Sequence, residues 1–231
     1  MKIVLEKDQK LFFTSDSHFS HKNICSGISE WDQDRLNRCR PFDNVEKMND
    51  LLVNNINSTV GENDILYHLG DWSFGGIEQI WEFRKQIKCK NIHLVLGNHD
   101  GHISRNKAVP QSPLLKMQDK IMFSSVNKLE NLTISIPNSK KDKNGNQLKN
   151  KKYRFVICHF PLASWDKMGE GVMHLFGHIH SKTKNRIREG KAMDVGIDGH
   201  PEFRPYELNE VLKLLKKQPI SGISIPNDHH A

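Results

Sequence analysis

The sequence has no long apolar run. Hydrophobic residues make up 36 % of the chain, but nowhere do they form the stretch of about 20 residues that a membrane-spanning helix needs. The first ten residues carry alternating charge and lack the apolar core, about 7–15 residues long, of a signal peptide. These absences predict a soluble, cytoplasmic protein with no membrane partner.

Cysteine is scarce, and its spacing indicates no pairing. The four cysteines, Cys25, Cys39, Cys89 and Cys158, form no C-x-x-C motif and no disulfide-like pattern. Reduced thiols, typical of a cytosolic protein, are therefore expected. The chain also lacks internal repeats, which excludes a repeat architecture.

Acidic residues are fewer than basic ones, 27 against 34, and the formal net charge is +7. Many of the lysines lie in residues 139–152, namely Lys140, Lys141, Lys143, Lys149, Lys151 and Lys152. This lysine-rich segment either attracts a polyanion such as nucleic acid or forms a solvated hairpin that protects an edge strand. The positive charge fits a phosphorylated substrate but does not select one.

Chain length favours a single domain. A chain of 231 residues can bury about 70 % of its unfolded surface in one domain. The polar motifs described below extend from residue 16 to residue 180, so a domain boundary would divide them. We predict one domain over residues 1–231, in which residues 221–231 form a flexible tail without periodic pattern.

Short apolar runs alternate with helical patterns early in the chain. The predicted strands are Lys10–Ser15, Ile65–Leu69, Ile92–Leu96, Ile121–Val126, Leu132–Ile136, Tyr153–Cys158, Met173–Phe176 and Ala192–Val195. The predicted helices are Val45–Asn57, Ile77–Ile87 and Glu207–Lys217. Strand–helix–strand order predicts parallel pairing, and the later Asn144-Gly145 turn predicts a hairpin. The pattern indicates an α/β fold with two packed sheets flanked by helices.

Five polar motifs follow these runs, most of them directly after a predicted strand. They are Asp16-Ser17-His18, Gly70-Asp71, Gly97-Asn98-His99-Asp100, His159 followed by Phe160-Pro161, and Gly177-His178-Ile179-His180. Residues i and i+2 of an extended backbone point to the same side, so D-x-H and H-x-H can each aim two ligands into one cavity. Glycine lets the chain turn sharply at the strand end, where open sheets bind ligands. D-x-H or H-x-H alone is more often a surface polar pair and Gly-Asn-His-Asp alone could be a turn, whereas the repetition of such motifs indicates a metal site in an enzyme.

Taken together and in order, the motifs resemble the calcineurin-like metallophosphoesterase superfamily, and in particular a bacterial and phage branch of it. The superfamily pattern is D-x-H, G-D, G-N-H-[DE], a lone histidine and G-H-x-H, and residues 16–180 contain every block without a substituted ligand position. The resemblance implies a four-layer α/β/β/α sandwich, with two mixed β-sheets flanked by helices and a metal site at the strand carboxyl ends.

The resemblance also implies a role for each motif residue. The first metal ion would be bound by Asp16, His18 and His180, the second by Asn98, His159 and His178, and both by a bridging Asp71. Two divalent ions are expected, with Mn²⁺ preferred and Fe, Zn²⁺ or Ni²⁺ as alternatives, because oxygen and imidazole ligands suit these ions. His99 would donate a proton to the leaving oxygen or stabilise the transition state. Asp100 would hold the other ring nitrogen of His99.

The implied reaction is direct hydrolysis of a phosphodiester or a phosphomonoester. Two divalent ions outweigh the charge of Asp16 and Asp71, so the site favours a hydroxide and an anionic phosphate. We expect in-line attack by a metal-bridging hydroxide, without a covalent protein intermediate.

Several nearby residues are candidates for substrate contact. Segments Ser17–Ile24 and Cys39–Phe42 resemble segments of the same bacterial and phage branch. Arg40 could form a forked contact with a substrate phosphate, or could instead pair with Asp43, while His21 and Asn23 could line the cleft. The aromatic residues beside the motifs either stack on a substrate ring or pack around the site, and they are Trp72, Phe74 and Trp165.

Three functions are compatible with the sequence. The first is an enzyme that acts on a phosphorylated small molecule or nucleotide. The second is a nuclease that binds DNA or RNA through the lysine-rich segment, and a steep loss of affinity with salt would identify it. The third is a non-catalytic scaffold with the same fold, which the presence of Asp71, Asn98 and His99 disfavours. The sequence predicts no oligomeric state.

Overall fold

Two mixed β-sheets pack face to face at the centre of the molecule. The computed structural model describes residues 1–36, 39–106, 116–117, 120–138, 140, 143–182 and 186–220. The predicted α/β class, with two mixed sheets and packed helices, is confirmed.

Three strands of the five-stranded sheet lead into the first three motifs. Its strands are β2 (Leu11–Thr14), β3 (Ile65–His68), β4 (Asn91–Val95), β7 (Ser125–Asn127) and β13 (Tyr206–Glu207). Their spatial order is β13-β2-β3-β4-β7, with β13 antiparallel to β2 and all other pairs parallel. Because β2, β3 and β4 run in the same direction, the loops that follow them meet at one edge of the sheet.

Two strands of the six-stranded sheet lead into the last two motifs. Its strands are β1 (Lys2–Val4), β8 (Leu129–Ile136), β9 (Lys151–Cys158), β10 (Met173–Phe176), β11 (Ile187–Arg188) and β12 (Ala192–Asp194). Their order is β1-β8-β9-β10-β12-β11. The predicted hairpin is confirmed as the antiparallel pair β8 and β9, while β9 and β10 are parallel. His159 and the G-H-x-H motif therefore leave the sheet at the same edge.

Apolar side chains from both sheets interdigitate between them. Phe13 and Tyr67 come from the five-stranded sheet, and Phe155 and Leu175 come from the six-stranded sheet. The ring centroids of Phe13 and Phe155 lie 5.6 Å apart, so the two layers are in direct contact. Helix α5 (Leu208–Leu215) adds its apolar stripe to the same core. Burial of each large side chain contributes about 1.5–3 kcal/mol, which holds the two sheets together.

Two helices cover the outer face of the five-stranded sheet. They are α2 (Val45–Thr59) and α3 (Ile77–Gln86), whose apolar faces join the buried residues of β2, β3 and β4. Helix α2 begins at a capped end, because Asn44 Oδ1 accepts a hydrogen bond from the Lys47 N–H at 2.9 Å. The outer face of the six-stranded sheet is covered by residues 162–172, which include a short 3₁₀ turn.

The main disagreement with the predicted elements concerns Ile121–Val126. A single strand here is wrong, because β6 (Lys120–Ile121) pairs with β5 (Lys116–Met117), whereas β7 pairs with β4. The other predicted strands and helices coincide with observed elements, apart from small differences at their ends. Sequence periodicity missed β1, β11, β13 and the short helices α1 (Gln33–Leu36) and α4 (Gly101–Asn106), because so few residues do not display a period.

The four cysteines are buried free thiols, in agreement with their spacing. Within the described ranges, no helix combines the length and the apolar character needed to cross a membrane. The predicted tail, residues 221–231, lies outside the described residues.

Candidate metal centre

Asp16, His18 and His180 form a first cluster of potential ligands. One donor atom from each lies within 4.8 Å of the other two. His180 Nε2 is 3.2 Å from His18 Nε2 and 3.8 Å from Asp16 Oδ1. Since Asp16 and His18 are buried, these donors face one another rather than bulk water. Convergent oxygen and imidazole donors form a set that a divalent transition ion would complete.

A second cluster lies beside it and contains Asp71, His159 and His178, again with donor atoms within 4.8 Å of one another. The amide of Asn98 joins this cluster. Its Oδ1 is 3.0 Å from His159 Nε2 and 3.0 Å from His178 Nδ1. The structure thus brings together all four residues that the resemblance implied for this side of the site.

Asp71 lies between the two clusters. Its Oδ2 is 3.5 Å from His18 Nε2 in the first cluster and 3.4 Å from His159 Nε2 in the second. Its Oδ1 accepts a hydrogen bond from the His99 backbone N–H at 2.9 Å, which fixes the orientation of the carboxylate. One carboxylate oxygen therefore occupies the position that a ligand shared by two ions requires.

Hydrogen bonds at the far ring nitrogens aim two imidazoles into the clusters. His159 Nδ1 donates to the Leu69 carbonyl oxygen at 2.7 Å, so its Nε2 faces Asp71 and Asn98. His180 Nδ1 donates to Asp198 Oδ2 at 2.7 Å, so its Nε2 faces the first cluster. A histidine that ligates a metal commonly makes such a bond, because it fixes both tautomer and ring orientation.

Burial and mutual charge shift the protonation of these groups. Burial raises the pKa of the Asp16 carboxyl to about 7 and lowers the pKa of His18 well below its usual value. Burial opposes the charge of Asp71 and of His159, but their mutual hydrogen bond outweighs it. The pKa of Asp71 is therefore held low and that of His159 rises to about 9. A cation bound among these donors would displace the protons they carry, so its binding would release protons.

The backbone at the ligands is left-handed, which corrects the extended geometry expected for D-x-H and H-x-H. The φ angles are 57° at Asp16, 47° at His18, 55° at Asp71, 71° at His178 and 47° at His180. Non-glycine residues in this region cost about 1–3 kcal/mol each and persist where surrounding contacts hold them. Backbone bonds between the first two motifs supply such contacts, because residues 16 and 18 donate to the carbonyls of residues 70 and 71.

Glycines in the motifs allow the loops to approach one another closely. Gly70 has a φ of +99°, and a Cβ there would lie 2.6 Å from His159 Nδ1. A Cβ at Gly97 would overlap Asp71 Oδ1, and one at Gly177 would overlap Ser15 Oγ. The glycines of three motifs are therefore required by crowding around the ligands, beyond the sharp turn that the sequence indicated.

Arg40 does not face the cavity, which corrects its predicted contact with a substrate phosphate. The side chain is buried, and its Nε and Nη2 donate to the two carboxylate oxygens of Asp198 at 2.9 and 3.0 Å. Its remaining bonds include those to the carbonyl oxygens of residues 16 and 17. The alternative partner, Asp43, is also wrong, because Asp43 pairs with Lys47 on the surface. The guanidinium instead braces the first cluster through Asp198, which in turn holds His180.

Asp100 also has a different role from the predicted one. Its carboxylate accepts three backbone N–H bonds, from Asp71 at 2.9 Å, Trp72 at 3.0 Å and Gly97 at 2.8 Å. It thus ties the second motif to the third rather than orienting the ring of His99. The ring of His99 itself lines the cavity at the clusters, with its centroid 5.2 Å from that of His18.

The remaining candidate substrate residues divide between two adjoining cavities. His21 lines both the small cavity of about 150 Å³ at the clusters and a larger cleft of about 730 Å³, while Asn23 lines the larger cleft alone. Of the three aromatic candidates, Trp72 and Trp165 are buried and pack within the protein. Phe74 is 39 % exposed and lines the larger cleft.

The lysine-rich segment lies away from both clusters. Lys151 begins β9, whereas His159 follows its end, so about seven residues at about 3.3 Å each separate Lys151 from Cys158. The described lysines of the segment are exposed at this distal end of the hairpin, and they are Lys140, Lys143, Lys149, Lys151 and Lys152. Ser139 and Lys141 lie outside the described residues. The segment therefore does not line the cavity at the ligands.

Two residues that shape the site are absent from the predicted site residues. Asp198 lies in the 3₁₀ turn Ile197–Gly199 after β12, and its partner Arg40 is 158 positions away. Trp31 lies in an irregular segment and reaches both cavities. Neither residue belongs to a motif or a periodic run, so no local signal identifies it.

Comparison with known proteins agrees with this geometry. A family model described as calcineurin-like phosphoesterase matches residues 9–182. An uncharacterized protein of Methanocaldococcus jannaschii is 26 % identical over 216 residues, which cover 90 % of this chain and 93 % of that protein. The crystal structure of a protein of unknown function from Aquifex aeolicus has a TM-score of 0.56 at 18 % identity, and the match covers 90 % of this chain and 100 % of the other. This last likeness concerns the fold alone.

Proposed function

This chain belongs to the calcineurin-like phosphoesterase family, and on that premise we propose that it is a binuclear metal-dependent phosphodiesterase. The observation that carries the proposal is the position of Asp71, whose Oδ2 lies between His18 Nε2 and His159 Nε2 at 3.5 and 3.4 Å. A carboxylate oxygen in this position could bind two neighbouring cations at once.

The donors of the two clusters suit divalent transition ions, because they are carboxylate, amide oxygen and imidazole nitrogen without a thiolate. Asp16, His18 and His180 would hold one ion, Asn98, His159 and His178 the other, and Asp71 both, with Mn²⁺ as the proposed metal. When bound, the two ions would supply an activated water near neutral pH and neutralise charge on the phosphoryl group.

His99 is proposed as the group that delivers a proton to the leaving oxygen. Its ring lines the cavity at the clusters, and its backbone N–H is anchored to Asp71 Oδ1. A positioned imidazole of this kind typically accelerates proton transfer by about 10²–10⁴-fold.

The charge around the cavity favours a diester over a monoester. Among the described residues, no lysine or arginine lines the cavity at the clusters, and the guanidinium of Arg40 is paired with Asp198. A diester carries one negative charge, whereas a monoester carries nearly two at neutral pH and would benefit more from additional cations. The proposed substrate is therefore a phosphodiester.

The proposal is tested by loading the purified protein with Mn²⁺ and assaying bis-p-nitrophenyl phosphate against p-nitrophenyl phosphate. We expect calorimetry to show two bound ions per chain and the assay to show preferential hydrolysis of the diester. Treatment with chelator should remove the ions and abolish the activity. Asp71→Asn should weaken metal binding and lower kcat/KM by about 10³-fold, since it removes the shared charged oxygen. The control is Asp43→Asn, whose carboxylate lies on the surface beside Lys47 and should leave activity unchanged.

Fewer than one bound ion per chain in the wild-type protein would contradict the proposal. His99→Ala separates the two parts of the mechanism. It should lower kcat by about 10²–10⁴-fold without changing metal stoichiometry, and unchanged kcat would contradict the role of His99 alone.

A further inference from the structure

A cleft of about 730 Å³ opens directly beside the cavity at the metal clusters. Three residues, His21, Trp31 and His99, line both spaces, so the cavity and the cleft adjoin each other. The cleft is within the range of about 300–1,000 Å³ typical of small-molecule sites. A phosphate held at the clusters would therefore place one of its ester groups in this cleft.

Three aromatic side chains line the cleft, and we call His21, Trp31 and Phe74 the aromatic platform. The rings of His21 and Phe74 are stacked, with centroids 3.9 Å apart and an interplanar angle of 26°. Trp31 meets the His21 ring edge-on at 5.6 Å, and Phe74 lies 5.5 Å from His99. Phe74 remains 39 % exposed, so an apolar ring is offered to the cleft next to the proposed proton donor.

One polar atom of the platform has no partner. His21 is only 8 % exposed, and its Nδ1 has no hydrogen-bond partner among the residues that the structure describes. This nitrogen is enclosed by the protein, so a ligand in the cleft would contact the exposed ring of Phe74 rather than His21 Nδ1.

The other residues of the cleft favour a neutral group that forms hydrogen bonds. The charged residues in the lining are one base, Lys22, and two acids, Glu30 and Glu46, so the cleft does not favour a second anion. Amide side chains are also present, and they are Asn23, Asn49 and Gln79. A nucleobase has the matching properties, because it is planar, neutral and able to form hydrogen bonds along its edge.

We propose that the aromatic platform binds the nucleobase of a nucleoside phosphodiester whose phosphate lies at the metal clusters. This inference rests on the proposed phosphodiesterase function and adds the substrate class. The phosphate, being the anionic part, goes to the cations, and the base stacks on Phe74 at the other end of the same space. Phe74 would favour substrates that carry a base, and it would not take part in the chemical step.

The test compares two esters with the same leaving group, thymidine 5′-p-nitrophenyl phosphate and methyl p-nitrophenyl phosphate. The Mn²⁺-loaded wild-type protein should prefer the thymidine ester by at least about tenfold in kcat/KM, since stacking on one ring has an effect of that order. Phe74→Leu keeps apolar bulk but removes the ring. It should reduce this preference about tenfold, mainly through KM, while hydrolysis of the methyl ester stays within about twofold.

The matched control is Phe160→Leu, which removes a similarly exposed ring (43 %) that does not line the cleft and lies 4.8 Å from the ring of His178. This variant should leave the preference for the thymidine ester unchanged. The inference is overturned if the preference is absent in the wild-type protein, survives in Phe74→Leu, or disappears in Phe160→Leu. If the wild-type protein hydrolyses neither ester, the result counts against the proposed function instead.

Binding provides a readout that does not depend on turnover. By calorimetry, adenosine 5′-monophosphate should bind the wild-type protein at least about tenfold more tightly than ribose 5-phosphate, and Phe74→Leu should abolish the difference. Equal affinities in the wild-type protein would reject the platform as a base site, whatever the outcome of the activity assays.

Discussion

Arg40 and Asp198 form a buried ion pair next to the first cluster of potential metal ligands. Side-chain chemistry alone left two partners open for Arg40, a substrate phosphate, whose oxygens match its fork, and a neighbouring acid such as Asp43. The fork is matched instead by a carboxylate from the other end of the chain, and that carboxylate orients His180. A residue can therefore support a phosphate site while its own charge is fully used inside the protein.

Arg40→Met should destabilise the protein, because the charge of Asp198 would remain buried without its partner. The expected loss in free energy of unfolding is about 3–5 kcal/mol, measured by urea denaturation. Arg154→Met, which breaks an exposed pair with Glu170, serves as control and should cost less than about 1 kcal/mol. If Arg40→Met were as stable as the wild-type protein but had a raised KM, Arg40 would bind substrate after all.

At the scale of elements, the site is built from loops that follow parallel strands. β2, β3 and β4 deliver Asp16, Asp71 and Asn98 to one edge, and β9 and β10 deliver His159 and the G-H-x-H motif. The loops fit together only because several positions lack a Cβ. Close approach of backbone, rather than loop flexibility, is thus the main reason for glycine at Gly97 and Gly177.

Gly177→Ala should disturb the first cluster, since the new methyl group would overlap Ser15 Oγ and Asp16 Oδ2. Overpacking of this kind typically costs about 1–3 kcal/mol of stability. We also expect Mn²⁺ affinity to fall by about tenfold or more, because 1.4 kcal/mol of ligand displacement has that effect. Gly101→Ala is the control, because a Cβ there meets no atom of another segment within 4 Å and should lower neither quantity. Wild-type metal affinity in Gly177→Ala would show that the loops can separate without moving the ligands.

For the whole molecule, histidines that are buried (His68, His174) or half-buried (His93) make stability depend on pH. His68, His93 and His174 lie in strands outside the proposed ligand set, and burial lowers the pKa of each, to about 3 for His68. The ring of His174 is held neutral, with Nδ1 donating to the Val156 carbonyl and Nε2 accepting the Leu162 N–H. Protonation would break the second of these bonds.

The contribution of these three histidines to stability should therefore fall as the pH falls below about 6.5. In that range the unfolded chain binds protons at these histidines and the folded chain does not, so each contributes about 1.4 kcal/mol per pH unit until its folded pKa is reached. Above about 6.5 the contribution is complete and no longer changes. Asp16 and His159, whose pKa values are raised, have the opposite effect in both proteins, so the comparison is between the wild-type protein and His174→Asn. Measured in chelator at pH 8, 6 and 5, the urea midpoint of the wild-type protein should fall relative to that of His174→Asn, and a constant difference between them would contradict the assignment.

Much of the fold was accessible from sequence because it depends on local chemistry. Apolar runs predicted the main strands, the 3.6-residue period predicted α2, α3 and α5, and the turn at Asn144-Gly145 predicted the hairpin of β8 and β9. Strand β7 was misjudged because hydrophobicity does not show where hydrogen-bond partners change.

By itself the sequence determined which residues can ligate metal and that they follow strand ends, since donor chemistry and spacing are local properties. Only the tertiary structure decided how those residues are supported: the left-handed backbone at the ligands, the amide bonds of Asp100, the pairing of Arg40 with Asp198, and the placement of the aromatic platform beside His99. These features depend on contacts between segments far apart in the chain, and a contact across 158 positions leaves no trace in the residues near either partner.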